Sequence, residues 1–236
     1  MLNLVQHLVL NQIPKRVRDD NELLMCRFLI AKSTKPIRPS KILEAFASMA
    51  KKGKAFDGDW QGDGWGIAWM SDDSTWKIYK SLSPIWEEEK KFEDFPETNL
   101  FAIHARSASF PQHKNNLEFN QPYISDSTLF VFNGLLKGVR LPFSVSGTIG
   151  TQKIWALLQD ELKNKNPKDA LNKVKDLLIK HMREIQALNI GMIYGGDLFS
   201  VNYFTKHRNY YTLQRFFYKT TDIICSEKLK ELEFNL

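Results

Sequence analysis

The chain has 236 residues, 43% hydrophobic and 25% charged, a balance that excludes a disordered chain and suits a soluble globular protein with a sizeable core. Its formal net charge is +6. The basic residues are scattered, however, with Lys51, Lys52 and Lys54 after a helix, Lys163 and Lys165 between helices and Lys228 and Lys230 near the end. No stripe for nucleic acid emerges, and none is expected to bind. Two cysteines, Cys26 and Cys225, do not make a disulfide framework, no apolar run reaches membrane-span length, and no small-residue cleavage site follows the opening residues. A reducing, cytoplasmic setting away from membranes is the expectation.

In chain order, residues 1–24 are polar, weakly periodic and charged at their end. The pattern then sharpens. Residues 26–31 read as a short buried strand. Ile42, Leu43, Phe46 and Met49 mark one face of a helix over 40–51, with Pro39 ahead of it and Gly53 behind. Strands follow at 66–70 and 75–80 around the polar turn 71–74, then at 100–105 and 128–132. The polar connection 107–121 is long enough to suggest function. Helices are predicted over 151–162 and 168–186, the second carrying Leu171, Val174, Leu178 and Ile185 on one face. Strands close the chain at 190–194, 198–205, 210–217 and 222–225, the first two joined by the tight turn Gly195-Gly196-Asp197. Grouped strands and grouped helices point to packed sheets with outer helices, not to an alternating parallel sheet.

Four stretches stand out from generic core sequence: Met25-Cys26-Arg27-Phe28; Gly62-Asp63-Gly64-Trp65-Gly66-Ile67-Ala68-Trp69; His104-Ala105-Arg106-Ser107-Ala108-Ser109; and Asn120-Gln121-Pro122-Tyr123, with Phe132-Asn133-Gly134 about ten residues on. Singly, each has a structural reading. Cys26 suits a small buried hydrophobe, the glycines a turn, Arg106 a solvated charge and Asn133-Gly134 a hairpin turn. His104, His113, His181 and His207 show no metal-ligand spacing, and His181 falls on the apolar side of its helix as a core histidine does, so no metal is expected. No glycine-rich loop follows a strand and opens a helix, so no nucleotide cofactor is expected either.

In this order and spacing, the four stretches resemble the glutamine amidotransferase domain of class II, most of all its stand-alone branch, which includes the γ-glutamyl hydrolase of ergothioneine synthesis and a subunit used in glutathione breakdown. The likeness covers Cys26 to about Leu229, where Ser226-Glu227-Lys228-Leu229 is similar to a late Ser-Glu-x-Leu stretch. It implies an α+β fold, the four-layer αββα N-terminal-nucleophile hydrolase sandwich of two antiparallel sheets between helical layers. It divides the chain into an N-terminal extension, 1–25, and an amidotransferase domain, 26–236. It makes Cys26 the nucleophile, its own freed α-amine the base, and the Asn133 side chain and Gly134 N–H the oxyanion hole. Arg106 would pair with the substrate α-carboxylate, with Ser107, Ser109, Asp63 and Gly64 also lining the substrate. The substrate would be glutamine or a related γ-glutamyl amide, and a synthase subunit receiving ammonia is a possible partner. A catalytically inactive ligand-binding or regulatory module on the same fold is the alternative.

Two departures from the family pattern bear on these expectations. Cys26 is not residue 1: either Met25 is the true start and is removed, or 1–25 are a propeptide, or they remain and the amine-as-base chemistry fails. The family usually grips the substrate α-amine with an aspartate in a Thr-Asp-Ser or Thr-Asp-Thr motif. The matching stretch here is Thr148-Ile149-Gly150-Thr151-Gln152, with Gly150 where the aspartate would stand. That leaves another γ-glutamyl compound, a borrowed acid such as Asp63, or an inactive site. Asp197 reads as a turn residue.

Overall fold

The computed structural model describes residues 25–53, 60–108 and 110–235. The first segment and Ser109 lie outside them. A six-stranded antiparallel sheet is built in the order β3-β2-β4-β1-β10-β9 from β1 (Arg27–Ile37), β2 (Trp65–Met70), β3 (Trp76–Ser81), β4 (Thr98–Ala105), β9 (Gln214–Tyr218) and β10 (Thr221–Cys225). A four-stranded antiparallel sheet follows the order β5-β6-β7-β8, from β5 (Tyr123–Ser125), β6 (Thr128–Val139), β7 (Met182–Tyr194) and β8 (Asp197–Phe204). The helices are α1 (Ser40–Lys51), α2 (Gly150–Leu162), α3 (Pro167–His181) and a single turn, α4 (Arg208–Tyr211).

Side chains alternate across a strand, so each buried strand feeds two layers. In the first sheet Leu29, Ala31, Ile67, Ile103 and Ile223 face outward onto Ile42, Leu43 and Phe46 of α1. In the second, Phe130, Leu188, Ile190 and Met192 face outward onto Ile154 and Leu158 of α2 and Leu171, Val174 and Leu178 of α3. Between the sheets lies a third layer, with Phe28, Ile30, Ala68, Ala102, Leu129, Val131, Ile193 and Ile224. The result is an α+β sandwich of helix, sheet, sheet and helices. At its centre Gly191 lets the sheets meet, since a Cβ there would fall 2.8 Å from both Phe28 and Val131.

Three local expectations need correction, and one short strand was not foreseen. The helix predicted to reach residue 186 stops at His181, because 182–186 pair with the far half of β6: Leu136 lies opposite Ile185, Lys137 opposite Glu184 and Val139 opposite Met182. Helical spacing of Ile185 from Leu178 did not foretell a partner strand that itself runs past 132. The strand predicted over 210–217 is split into α4 and β9. Tyr210 and Tyr211 are adjacent and both buried, which a strand with one buried face does not allow, and both backbone N–H groups bond to the His207 carbonyl. β5 is three residues long, too short to register as a pattern. His181 is half-buried at the end of α3, where a basic residue suits the helix dipole; the core histidine is His104, fully buried.

Candidate active site

The inter-sheet face changes character at one end. Along its inward-facing positions β1 carries Ile30 and Phe28, with Cys26 just before the strand; β2 carries Ala68 and Gly66, with Gly64 just before it; β4 carries Ala102 and His104, with Arg106 just after it. In the other sheet β6 runs Leu129, Val131, Asn133, and β7 runs Ile193, Gly191, Asn189. Register brings these ends together. Phe28 and Gly66 both lie opposite His104, the Arg106 N–H donates to the Gly64 carbonyl at 2.8 Å, and Asn133 lies opposite Asn189.

Cys26 sits at the mouth of this end, half-buried, its thiol 3.6 Å from the Ser107 carbonyl. Burial raises its pKa, against the opposing pull of a Ser107 backbone contact and the Arg106 and Arg27 charges. A thiol with a raised pKa needs a base to ionise it at neutral pH. Met25, just before it, is buried in a cluster with Ala187, Tyr210 and Tyr211. Next along, Arg27 is fully buried with its guanidinium 4.0 Å over the Tyr210 ring and 3.9 Å from Glu227. Cys225, by contrast, faces the α1 layer and is pushed up to about 12 by burial, which makes it an inert packing residue.

Asn133 is 1% exposed, and neither its Nδ2 nor its Oδ1 has a hydrogen-bond partner among the described residues. An unpaired buried amide costs stability. Beside it, Gly134 is approached by β7 so closely that a Cβ would collide with the Ala187 carbonyl. Gln121, for which the sequence offered no role, sets this strand: its buried amide accepts from the Phe132 N–H at 2.6 Å and donates to the Phe132 carbonyl at 3.4 Å. Asn189 is held in turn, donating to the Tyr211 carbonyl at 2.7 Å and accepting from Asn202 at 2.7 Å.

Arg106 is buried and organises the long connection, donating to the His113 carbonyl at 2.6 Å, the Lys114 carbonyl at 3.3 Å and Asn120 Oδ1 at 3.2 Å. Asp63 accepts from the Ala108 N–H at 2.8 Å and is bridged by Lys114 Nζ at 3.0 Å. Gly64 takes φ +108, and a Cβ there would strike the Asn120 amide and come within 2.6 Å of the Ser81 carbonyl; the Asn120 amide itself donates to that carbonyl at 2.7 Å. So Cys26, Arg106, Ser107, Asp63, Gly64, Asn133 and Gly134 gather at one end of the sandwich. Gly150 opens α2 with nothing within 4 Å of where a Cβ would stand. Asp197 lies off the site, paired with Lys32 at 2.7 Å. Among the described residues no group of three or more His, Cys, Asp and Glu is placed to hold a metal, and no helix is long and apolar enough to cross a membrane.

This is the fold of the class II glutamine amidotransferase domains. The chain is similar to a glutamine aminotransferase class-II domain protein from Silicibacter pomeroyi, with a TM-score of 0.57 at 16% identity over 85% of this chain and 88% of that one. It is also similar to an allosteric regulatory enzyme of purine biosynthesis, with a TM-score of 0.63 at 14% identity over 88% of this chain. A third likeness is to the glutamine phosphoribosylpyrophosphate amidotransferase of B. subtilis, with a TM-score of 0.57 at 12% identity over 86% of this chain. The chain spans 43% and 42% of the lengths of these last two. No protein-family model and no curated protein matches the sequence.

Proposed function

We propose that the protein hydrolyses the side-chain amide of glutamine, or a related γ-glutamyl amide, through a thioester on Cys26. The observation that carries this reading is the buried, unpartnered Asn133 amide at the same end of the sandwich as the Cys26 thiol. Once the chain is cut before Cys26, the new α-amine, with an ordinary pKa near ~8, takes the thiol proton. The thiolate attacks the amide carbon, and Asn133 Nδ2–H and the Gly134 N–H hold the oxyanion. The C–N bond breaks as the ammonium returns its proton to the departing nitrogen, and ammonia or an amine leaves. Water then hydrolyses the thioester and restores the thiol. The ammonia goes to solution or to a separate synthase subunit. On this reading 26–236 form the amidotransferase domain, and 1–25 are the extension lost before catalysis.

The test joins intact mass with turnover. The processed protein should begin at Cys26 and release ammonia from glutamine or a γ-glutamyl amide. Processing without cleavage of either class of amide defeats the proposal. A second reading, a ligand-binding module, is favoured by the packing of Met25 among Ala187, Tyr210 and Tyr211, which ties the nucleophile's nitrogen into a peptide bond. It predicts ligand binding that survives Cys26→Ala in a protein that never loses Met25.

A further inference from the structure

Two cations, Arg106 and Lys80, stand at the thiol end of the inter-sheet face, both close enough for their charges to act on His104. Lys80 on β3 lies opposite Gly66, and a Cβ at Gly66 would meet Lys80 Cγ at 3.2 Å and the Gln121 carbonyl. The glycine therefore leaves room for the lysine to lie across the inward face. Its ammonium stands 5.1 Å from the centroid of the Tyr123 ring on β5, so it bridges the two sheets. The Tyr123 hydroxyl interacts with Thr151, next to Gly150 at the head of α2, and Tyr123 feels the charges of both Arg106 and Cys26. His104 beneath feels Arg106 and Lys80 together. Lys80 thus belongs to the wall shared by Arg106 and the start of α2.

The acids nearby are few. Asp63, a candidate for a borrowed acid, is bridged by Lys114 and bonded to the Ala108 N–H. Glu118 is exposed on the turn at 117–119 and favours the Lys80 charge, but the two make no ion pair among the described residues. Gly150 offers no side chain at all. Burial lowers Lys80 to about 8, which still leaves it charged at neutral pH. An α-ammonium brought here would meet like charge, whereas a carboxylate would meet Lys80 and Arg106. Arg106 already donates three hydrogen bonds to the connecting loop, which leaves the more adaptable Lys80 as the point charge for a ligand.

We propose that Lys80, alongside Arg106, receives the carboxylate of a substrate that has no α-ammonium: the ω-monoamide of a short dicarboxylic acid, with glutaramate as the simplest probe. This rests on the cysteine-amidase reading above. The reaction is a hydrolysis: the C–N bond of glutaramate breaks, a transient S–acyl bond forms and is cut by water, and glutarate and ammonia are released.

The experiment compares glutaramate with glutamine in steady-state ammonia release by the full chain after processing, in four forms. The wild type should favour glutaramate in kcat/KM by about tenfold or more, the scale of one charge-assisted contact. Lys80→Met should raise the glutaramate KM about tenfold with little change in kcat, and Lys80→Arg should restore it, which loss of folding or packing would not reproduce. Gly150→Asp, placed in open space, should raise glutamine turnover relative to glutaramate. A wild type that prefers glutamine overturns this inference while leaving the amidase reading intact, as does a Lys80→Met protein whose KM matches that of Lys80→Arg. Cleavage of neither amide brings down the amidase reading, and this inference with it.

Discussion

The two ends of the inter-sheet layer are built from the same strands and serve opposite purposes. At one end Phe28, Ile30, Ala102, Leu129, Val131 and Ile193 pack into a hydrophobic cluster. At the other, two to four residues further along those chain segments, stand Cys26, His104, Arg106, Asn133 and Asn189, all of them polar or reactive. The apolar end repays its burial through the hydrophobic effect. The polar end holds a buried amide without a partner and a histidine kept neutral by burial, and both oppose folding. On the proposed reading, folding stability and chemistry are separable along a single strand.

That separation can be broken or sharpened experimentally. The largest effect should come from Cys26→Ala, which removes the proposed nucleophile: turnover should fall by about 10⁴-fold or more, while the thermal midpoint stays near that of the parent. A large drop in stability would show that Cys26 is a packing residue instead. At the apolar end, Leu129→Ala should cost about 2–5 kcal/mol in urea unfolding and leave kcat of the surviving folded fraction unchanged. Four residues along the same strand, Asn133→Ala should do the reverse. It should lower kcat by about 10²–10³-fold, yet shift the urea midpoint little or upward, because it removes an unpaired buried amide. Equal losses of stability in the two variants would erase the distinction between the ends.

A smaller effect is expected from pH. Burial, with help from the Arg106 charge, lowers His104 from 6.5 to about 3. Between those values the unfolded chain binds a proton that the folded chain does not. Stability is therefore whole above about pH 6.5 and is lost as pH falls toward 3, by at most about 1.4 kcal/mol per pH unit. Urea midpoints at pH 7 and pH 5 should differ accordingly, and His104→Gln should flatten the difference. The smallest effect should come from a pair remote from both ends: Asp222→Asn, which weakens the exposed Arg215–Asp222 bridge of 2.6 Å, should cost no more than about 1 kcal/mol and leave turnover alone.

Much of this was legible in the sequence, and the reason is locality. Helix α1 is where Ile42, Leu43, Phe46 and Met49 put it, because a 3.6-residue period with a glycine stop is encoded within one segment. The hairpin of β2 and β3 follows equally from its own alternation and the polar turn between. Cys26, Arg106 and Asn133-Gly134 could be singled out because their residue types and order resemble those of a known family. Only the tertiary structure could decide the rest. Residues 182–186 became strand because β6 offered them partners, and pairing energy outweighs a helical apolar spacing in so short a stretch. The long connection 107–121 acquired meaning only when Arg106 tied it down and Gln121 clamped Phe132 beside Asn133. Lys80 was invisible as a site residue, since nothing in a lysine next to a turn tells which face it will cross. Its place over Tyr123 depends on a glycine fourteen residues earlier and on a strand of the opposite sheet. Short-range periodicity is written into neighbouring residues; the meeting of side chains from distant strands is fixed only when register and sheet packing bring them together.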